Sequence, residues 1–474
     1  MDERRRNDDV KASIRKLEAI IEIAALALLF FLVWRGFYRV EGHLFHGRGK
    51  YVLLGVYALL TIILFYYSEG FKFGYLRLTD VVISQWVALV IVNFITYFQL
   101  SLMINKMINP LPLVGMTFLG MAICLVMSYI FSVIYHRLYV PRNMVLIYGD
   151  IKAVSIKLKL DTRSDKYRIT RMVSTEEGLE KICRIIDEHD AVVINDVHAE
   201  MRNDIMKYCY KTCTRAYIVP KISDIINRGA KDINLFDTPL LLVKGTGLTR
   251  AQSAGKRIFD LIFSIIALIP GLPIMLIVAI AIKLDDHGPV FYRQDRVTKD
   301  GKVFAILKFR SMVVDAEKDG KSRPATQNDP RITRVGKIIR ASRLDELPQV
   351  LNIFKGDMSW CGPRPERCEH VEKYTKLIPE FVYRSKVKGG LTGYAQIYGK
   401  YNTSAYDKLR LDLMYIENYS ILTDLKLMLM TIKIMFKKES TEGFDKVVDE
   451  QVLKELVEHN EGKNTIVNKA KIHE

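Results

Sequence analysis

The chain has 474 residues, of which 49% are hydrophobic, and a formal net charge of +17 from 70 Lys and Arg against 53 Asp and Glu. This length exceeds one ordinary domain, and the apolar residues concentrate in the first third and near 258–282, as in a membrane protein with soluble parts. The positive charge favours phosphorylated substrates or anionic lipid, and because the sequence carries no nucleic-acid-binding motif we expect no nucleic-acid partner.

Residues 1–142 are predicted to form a transmembrane region of four helices. Each apolar segment is close to the ~20 residues that cross a bilayer, and the segments are Leu17–Phe37, Tyr51–Tyr67, Val82–Met103 and Leu111–Tyr135. The distribution of Lys and Arg favours a cytoplasmic N-terminus. Because the segments carry few charges, an anchor or dimerisation unit is favoured over a transporter.

Residues 143–245 read as a Rossmann-like α/β module. The short apolar runs MVLIYG, AVVIND and AYIVP alternate with helical stretches, a pattern typical of a parallel sheet. The turn that starts at Gly149 lacks the dinucleotide-binding GxGxxG pattern, so a ligand for this module stays open. Residues 246–255, TGLTRAQSAG, are small and polar and predict a linker.

A further apolar stretch, Ile258–Ile282, is long enough to cross a bilayer. Pro270 and Pro273 lie near its middle, and proline breaks or kinks a helix. Basic residues flank both ends, so a crossing would leave one set on the wrong side. We therefore predict a re-entrant membrane hairpin over 258–282 with the break at Pro273, and a kinked fifth crossing is the alternative.

Asp345 and Glu346 form an adjacent carboxylate pair within the arginine-rich segment SRLDELPQ. Phosphoryl transfer requires positioning, charge neutralisation and a nucleophile or base. Arginine suits phosphate oxygens, and a carboxylate is able to attack phosphorus and carry a covalent intermediate. By itself, such a pair is more often a solvated helix face, so the pattern alone leaves the chemistry open.

Further motifs follow each other in the same region, namely KRIFD, GPVFYRQDRV, KFRSM, N-x-x-KGDMS, GPRP and LTGYAQ. In this order, with SRLDELPQ and Pro273, residues 256–440 resemble the catalytic domain of the bacterial polyprenyl-phosphate hexose-1-phosphate transferases, the monotopic phosphoglycosyl transferase superfamily. The resemblance implies a mainly α-helical catalytic domain with a re-entrant membrane helix. The membrane bundle and the Rossmann-like module resemble those of the large members used in exopolysaccharide and capsule assembly.

The resemblance also implies a reaction and roles for residues. Asp345 would attack the phosphate that bears the sugar of a UDP-sugar and release UMP, and undecaprenyl phosphate would then accept the sugar phosphate from the covalent intermediate. Glu346 would assist as base or metal partner, with Mg²⁺ held by both carboxylates. The implied substrate contacts, of which Gln396 would line the sugar or nucleotide site, are Arg340, Lys308, Arg310, Arg364 and Gln396. Arg364 lies between two prolines, and a role in bracing that turn is equally compatible with the sequence.

The implied partners are the UDP-sugar, undecaprenyl phosphate and membrane lipid. The resemblance also implies a location in a bacterial plasma (inner) membrane, with the catalytic domain facing the cytoplasm. A hexose is expected, although the sequence fixes neither the sugar nor the polysaccharide pathway, and a homodimer is compatible with it. A non-catalytic scaffold for polysaccharide assembly is the alternative function, and a transporter is the third. Ser420–Phe436 is read as an interfacial amphipathic helix or a buried helix, and residues 441–474 as a charged tail.

Overall fold

The computed structural model of this chain describes residues 2–38, 49–139, 141–314, 316, 329–399 and 403–435. The chain forms two compact units, one running from the N-terminus to Lys221 and one beginning at Ile222. This boundary lies inside the segment 143–245 that the sequence suggests as a single module. The predicted tail, 441–474, lies outside the described residues.

The first unit begins with long apolar helices, which confirms the prediction for this part of the chain. Their bounds are α1 (Asp2–Val33), extended by a π-helical turn (Trp34–Tyr38), α2 (Gly49–Tyr67), α3 (Leu78–Ile104) and α4 (Leu111–Leu138). All four are long and apolar enough to cross a membrane. Leu26, Phe30, Tyr57 and Leu89 form part of a shared core, while many apolar side chains on the outer faces are exposed, as expected for helices that contact lipid.

Two carboxylates lie inside this helical bundle, although the sequence suggests few charges there. Glu18 and Glu22 of α1 are fully buried. Gln85 of α3 donates to Glu22 Oε2 at 2.9 Å, and Ser128 of α4 donates to Gln85 at 3.1 Å. Neither carboxylate oxygen of Glu18 has a hydrogen-bond partner in the described part of the chain. Both carboxyl groups face the interior of the helical bundle, so the outer surface of the bundle stays apolar.

The rest of the first unit is an α/β region with a four-stranded sheet in the order β2-β1-β3-β4. All neighbouring strands are parallel, which confirms the predicted parallel sheet; the Rossmann-like assignment stays a prediction. The elements are β1 (Arg142–Tyr148), α5 (Ser155–Asp161), β2 (Tyr167–Ser174), α6 (Leu179–Asp187), β3 (Ala191–Asn195), α7 (Ala199–Lys211) and β4 (Arg215–Ile218). Short 3-10 turns occur at Ile151–Val154 and Thr175–Glu177.

Helices pack on both faces of this sheet. Ile182 of α6 and Ile205 of α7 contact one face, and Val154 and Leu160 pack on the other. At the carboxyl end of β1, a Cβ on Gly149 would lie 2.2 Å from the carbonyl oxygen of Asp196. Glycine is therefore required at this position, where the backbone segments that follow β1 and β3 come into close contact.

The second unit is mainly helical. Its helices are α8 (Ile222–Arg228), α9 (Arg250–Asp286), α10 (Arg334–Ala341), α11 (Gln349–Lys355), α12 (Cys368–Leu377), α13 (Tyr394–Tyr398), α14 (Ala405–Glu417) and α15 (Ile421–Met435). Its strands are β5 (Lys231–Leu235), β6 (Thr238–Leu242), β7 (Phe291–Val297), β8 (Val303–Phe309), β9 (Ser359–Cys361) and β10 (Gly390–Thr392). Its 3-10 turns are Lys299–Gly301, Leu344–Glu346 and Pro379–Lys386. The pairs β5–β6 and β7–β8 are antiparallel, and β9–β10 is parallel.

Helix α9 buries one face on the second unit and exposes an apolar face. The buried positions are Lys256, Asp260, Ser264, Gly271, Met275, Val278 and Ile282, and the exposed ones include Ile262, Ile266, Ile269, Leu276 and Ile277. The backbone stays helical through Pro270 and Pro273, although each proline removes one backbone N–H and its ring crowds the carbonyl of the preceding turn. A bend at Pro273 would therefore be a kink within a helix, and the re-entrant course of 258–282 stays a prediction.

The start of α9 is fixed by a capping box and lies inside the segment 246–255 that we read as a linker. Thr249 Oγ1 accepts from the Gln252 N–H at 3.2 Å, and Gln252 Oε1 accepts from the Thr249 N–H at 2.9 Å. Both bonds satisfy backbone donors that a helix start leaves without partners.

We expect Thr249→Ala to destabilise the first turn of α9 by about 1 kcal/mol, because it removes this acceptor. Amide hydrogen exchange over 250–253 should become roughly fivefold faster, as RT ln 5 is about 1 kcal/mol. Thr249→Ser keeps the oxygen and serves as the matched control. Equal exchange rates in Thr249→Ala and the unchanged chain would contradict the capping role.

Candidate active site

Asp345 and Glu346 lie in a tight connection between α10 and α11. Thr333 caps α10 by accepting from the Gly336 N–H at 2.9 Å. After α10, Arg343 adopts a left-handed backbone conformation with φ of 57°, which reverses the chain direction and starts the single 3-10 turn Leu344–Glu346. In a 3-10 turn adjacent side chains point about 120° apart. The two carboxylates therefore face different surroundings.

Glu346 is held by two cations. Lys308 Nζ and Arg364 Nη2 both donate to Glu346 Oε1, at 2.8 and 2.7 Å. Burial by itself would raise the pKa of Glu346, but the charges of Arg364 and Lys308, with their hydrogen bonds, outweigh it and hold this pKa well below its usual range. Glu346 is therefore an ionised, fixed carboxylate at neutral pH.

Asp345 is in a different state. Its side chain is half-buried, and within the described ranges no hydrogen bond or ion pair engages it. Burial and the neighbouring Glu346 charge raise the pKa of Asp345, while Lys308, Arg340 and Arg343 oppose the shift. A carboxylate that is partly desolvated and unpaired keeps its oxygen lone pairs for an incoming electrophile.

Lys308 and Arg364 come from distant parts of the chain. Lys308 lies near the end of β8, where burial lowers its pKa and the charge of Glu346 opposes the shift. Arg364 belongs to the GPRP segment after β9, and Glu346 raises its pKa. Arg384 donates to the Arg364 carbonyl at 3.0 Å. The side chain of Arg364 thus pairs with Glu346 of the Asp345–Glu346 dyad, while its carbonyl is held by Arg384. A phosphate contact and a role in bracing the turn are therefore compatible for this residue.

Arg340 lies in the last turn of α10, close enough to lower the pKa of Asp345. Its side chain is exposed, so the guanidinium is accessible to a phosphate near the dyad.

The structure assigns Arg310 a different environment. Its guanidinium makes a two-pronged ion pair with Asp286 at the end of α9 and donates to the Pro289 carbonyl at 2.6 Å. The side chain is 6% exposed, and a Cβ on Gly288 would lie 2.6 Å from its Nη2. Arg310 therefore fixes the end of α9 to β8, and its described contacts do not include the dyad.

Gln396 lies in α13, after the parallel pair β9–β10 that brings the GPRP and LTGYAQ segments together. A Cβ on Gly393 would lie 2.2 Å from the Gly362 carbonyl oxygen and 2.8 Å from Gln396 Oε1. Both polar atoms of the Gln396 side chain are buried without a hydrogen-bond partner in the described residues. No described contact joins Gln396 to the dyad. Its unpaired amide is a donor and an acceptor for a ligand beside the GPRP segment.

The sequence model of the family described as bacterial sugar transferase matches residues 251–438. A UDP-glucose:undecaprenyl-phosphate glucose-1-phosphate transferase of Klebsiella pneumoniae is 38% identical over 272 residues, 53% of this chain and 57% of that protein. The Escherichia coli (strain K12) protein of the same name is 41% identical over 209 residues, 43% of each chain. The UDP-N-acetylgalactosamine-undecaprenyl-phosphate N-acetylgalactosaminephosphotransferase of Aeromonas hydrophila is 35% identical over 288 residues, 57% of this chain and 67% of that protein. This chain belongs to the bacterial sugar transferase family.

The family assignment confirms the resemblance that the motifs carry. The chain spans 57% and 43% of the length of the Klebsiella and Escherichia relatives. The matched region, 251–438, contains the dyad, its two cations and every other predicted site residue.

Sequence reasoning missed the buried charges that position the site in this family member. Lys256 Nζ of α9 lies 2.5 Å from Asp424 Oδ2 of α15. One helical turn later, Asp260 accepts from Ser359 Oγ at 2.8 Å and from the Trp360 N–H at 3.1 Å. These contacts fix β9, three residues before Arg364. The sequence did contain one indication of these buried charges. Lys256 and Asp260 in KRIFD are four residues apart and therefore lie on the same face of a helix.

Asn352 of α11 is a second positioning residue that was missed. Its side chain accepts from the Leu307 N–H at 2.9 Å and donates to the Ala305 carbonyl at 3.0 Å. It therefore pairs with the free edge of β8 as a neighbouring strand would. Because Lys308 follows Leu307 directly, this contact fixes the strand that carries a cation of the dyad.

Proposed function

We propose that this chain transfers a sugar-1-phosphate from a UDP-sugar to undecaprenyl phosphate and releases UMP, as an early membrane step of exopolysaccharide or capsule synthesis. The observation that supports this function is that the two carboxylates of the dyad have different electrostatic environments. Glu346 is ionised and fixed by Lys308 and Arg364, and Asp345 beside it carries a carboxylate with no described ion pair. Family membership and the printed activities of the relatives point to the same reaction.

Asp345 acts as the nucleophile in this proposal. One carboxylate oxygen attacks the phosphorus that bears the sugar, and the bond to the oxygen bridging the two phosphates breaks, so UMP leaves with that electron pair. An oxygen of undecaprenyl phosphate then attacks the same phosphorus and displaces the Asp345 carboxylate. Arg340 and Arg343 lower the pKa of Asp345 and are placed to neutralise charge on the phosphates.

The carboxylates also fit a magnesium ion. Mg²⁺ is usually held by one or two carboxylates together with substrate phosphates rather than by an all-protein cage, and no cluster of three or more His, Cys, Asp or Glu occurs among the described residues. Asp345 and the second oxygen of Glu346 would hold the ion, since both described contacts of Glu346 use Oε1. The ion would supply charge neutralisation at the diphosphate.

The donor sugar is open. Two of the relatives are named for glucose and one for N-acetylgalactosamine, and our expectation of a hexose rests on resemblance. We also propose an inner-membrane location with the second unit facing the cytoplasm, where UDP-sugars are made. The exposed apolar face of α9 supports contact with membrane lipid. A homodimer stays a prediction.

UMP release from a panel of UDP-sugars tests the proposal, with membranes that contain the full chain, undecaprenyl phosphate and Mg²⁺. We expect one donor to yield UMP and labelled lipid in equal amounts. UMP release that needs no undecaprenyl phosphate and yields no labelled lipid would contradict undecaprenyl phosphate as the acceptor. The absence of turnover with every sugar, from folded protein, would contradict catalysis and favour the scaffold function.

The pH dependence of this reaction should reflect the two cations, Lys308 and Arg364, that hold Glu346 in its ionised form. The low pKa of Glu346 keeps this carboxylate ionised down to low pH, and activity that requires the ionised form is lost as pH falls through that pKa. Lys308→Met removes one of the two cations and raises the pKa of Glu346. We therefore expect the acidic limb of the rate profile to move to higher pH, with roughly tenfold lower activity at neutral pH.

Lys355→Met is the matched control for Lys308→Met, because Lys355 lies on α11 with a side chain that is 76% exposed. Its profile should equal that of the unchanged chain. An unmoved acidic limb in Lys308→Met would show that Lys308 does not set the ionisation of Glu346.

A further inference from the structure

A small pocket lies within the first unit, where the end of α4 meets the connection between α2 and α3 and the loop before β2. Its wall contains apolar side chains, Phe73 and Leu76, and polar ones, His136, Arg163 and Lys166. The dyad and its partners all belong to the second unit, so this pocket has no part in the proposed reaction.

Hydrogen bonds hold the loop before β2 against the helical bundle. Arg163 Nη1 donates to the Tyr75 carbonyl at 2.8 Å, and the Tyr139 hydroxyl donates to the Lys166 carbonyl at 3.3 Å. Tyr75 follows α2, and Tyr139 ends α4. The pocket therefore lies at the end of the apolar helices, which is the level of lipid headgroups when such helices cross a bilayer.

Cations converge on one aromatic ring beside this pocket. Lys166 Nζ lies 4.2 Å from the centroid of the Tyr75 ring, and the Arg15 guanidinium carbon lies 4.7 Å from it. Both distances are within the range of cation–π contacts. Tyr75 thus holds two positive side chains from different segments close together.

In the described part of the chain, carboxylates balance this charge only in part. Asp165 is engaged by Arg163, whose Nε and Nη2 donate to its two oxygens at 2.9 and 3.0 Å. Lys166 has no carboxylate within ion-pair distance in the described residues. Burial and the charge of Arg163 lower the pKa of Lys166 to about 8, with further contributions from Arg15 and Arg142, and Asp165 offsets only part of the shift. The pocket therefore has an excess of positive charge that an anion would relieve.

We propose that this pocket binds the phosphate of an anionic phospholipid headgroup, with Arg15 and Lys166 as its charged ligands. A free phosphate offers the same charge, but the apolar wall and the position at the helix ends favour a phosphate that is already attached to a lipid. Basic pockets at the cytoplasmic ends of membrane helices bind anionic headgroups by this chemistry.

Native mass spectrometry of the full chain tests the inference. The chain is released from detergent that contains equal amounts of phosphatidylglycerol and phosphatidylcholine. Each basic residue near an anionic surface contributes about fivefold in affinity. We expect retained phosphatidylglycerol to fall more than about tenfold in the Arg15→Gln/Lys166→Gln double variant. Lys207→Gln is the matched control, because this lysine lies on α7 with a side chain that is 77% exposed, and it should retain the lipid.

Two further experiments test whether binding depends on the positive charge of Lys166 and whether the bound phosphate is free or attached to a lipid. Lys166→Arg keeps the charge and should retain phosphatidylglycerol. Inorganic phosphate at millimolar concentration should leave the lipid bound, and complete displacement would show that the pocket recognises free phosphate instead. Equal retention of phosphatidylglycerol by the double variant and the unchanged chain would overturn the proposal.

Discussion

Replacing Asp345 by asparagine is expected to lower the rate of UMP release by about a thousandfold or more, since loss of a nucleophile removes the lowest-energy route. Asparagine has nearly the same shape, so the turn Leu344–Glu346 and the ion pairs of Glu346 with Lys308 and Arg364 should be kept. Its neutral amide is a poor nucleophile towards phosphorus. Initial rates with the donor that the unchanged chain accepts give the measurement.

Asp300→Asn is the matched control for this variant. Asp300 lies in the turn between β7 and β8, its side chain is 65% exposed, and its left-handed backbone, with φ of 56°, is one that asparagine tolerates. Its activity should equal that of the unchanged chain. Retention of more than about a tenth of the activity by Asp345→Asn would be too much for a lost nucleophile.

A single-turnover experiment separates a nucleophile from a general base. Without undecaprenyl phosphate, a nucleophilic Asp345 releases one UMP per active site and keeps the sugar phosphate as an acyl phosphate. Hydroxylamine cleaves acyl phosphates, so it should remove the label from the unchanged chain. Asp345→Asn should show neither burst nor label. A burst without covalent label in the unchanged chain would contradict the intermediate.

Replacing Lys256 by methionine is expected to destabilise the second unit by about 3–5 kcal/mol, the usual cost of leaving one partner of a buried ion pair alone. Lys256 and Asp424 are 6% and 0% exposed. Lys256 also donates to the Tyr415 hydroxyl at 3.0 Å, which in turn donates to Asp424 at 2.7 Å. Methionine fills most of the volume but leaves the Asp424 carboxylate without its cation.

Limited proteolysis of the full chain in detergent measures this loss, because cleavage follows the population of opened molecules when closing is fast. Cleavage within 256–435 should become from about a hundredfold to several thousandfold faster, since each 1.4 kcal/mol is tenfold. Lys256→Met/Asp424→Leu removes both charges and should recover most of the stability. If the double variant is as labile as Lys256→Met, packing rather than the unpaired charge explains the effect.

The parts of this protein that sequence analysis predicts are those with a local physical signature. Run length alone indicates apolar helices such as α3 and α4, because a bilayer requires about 20 apolar residues. Short apolar runs with helical stretches between them predict the parallel sheet. Asp345 and Glu346 are recognisable because they are adjacent and lie within specific motifs. Their different environments were not predictable, since Lys308 and Arg364 lie 38 and 18 residues from Glu346.

Pairing over long sequence distances explains most of what was missed. Lys256 and Asp424 are 168 residues apart, and nothing in the pattern of charges says which Lys and Asp meet. Arg310 illustrates the same difficulty, because its place in KFRSM suggests a phosphate contact whereas its guanidinium is paired with Asp286. For Ser420–Phe436, amphipathic composition left two readings open. Asp424, Leu427 and Met430 of α15 are buried, whereas Leu422, Ile432 and Met435 are exposed. One apolar face of this helix packs on the protein and another is accessible, so both readings stay predictions.

The packing of α9 has a consequence for where the dyad lies in the direction normal to the bilayer. Leu344 and Leu347, which flank the dyad, pack on the cluster that contains Met275, Val278 and Ile282 of α9. The two ends of α9 are joined to the same unit through Lys256–Asp424 and Asp286–Arg310. The depth of Asp345 relative to a bilayer is therefore tied to the depth of α9. With α9 in contact with lipid, as proposed above, an acceptor whose phosphate lies at the level of this carboxylate would meet it by lateral diffusion, without first being lifted out of the membrane.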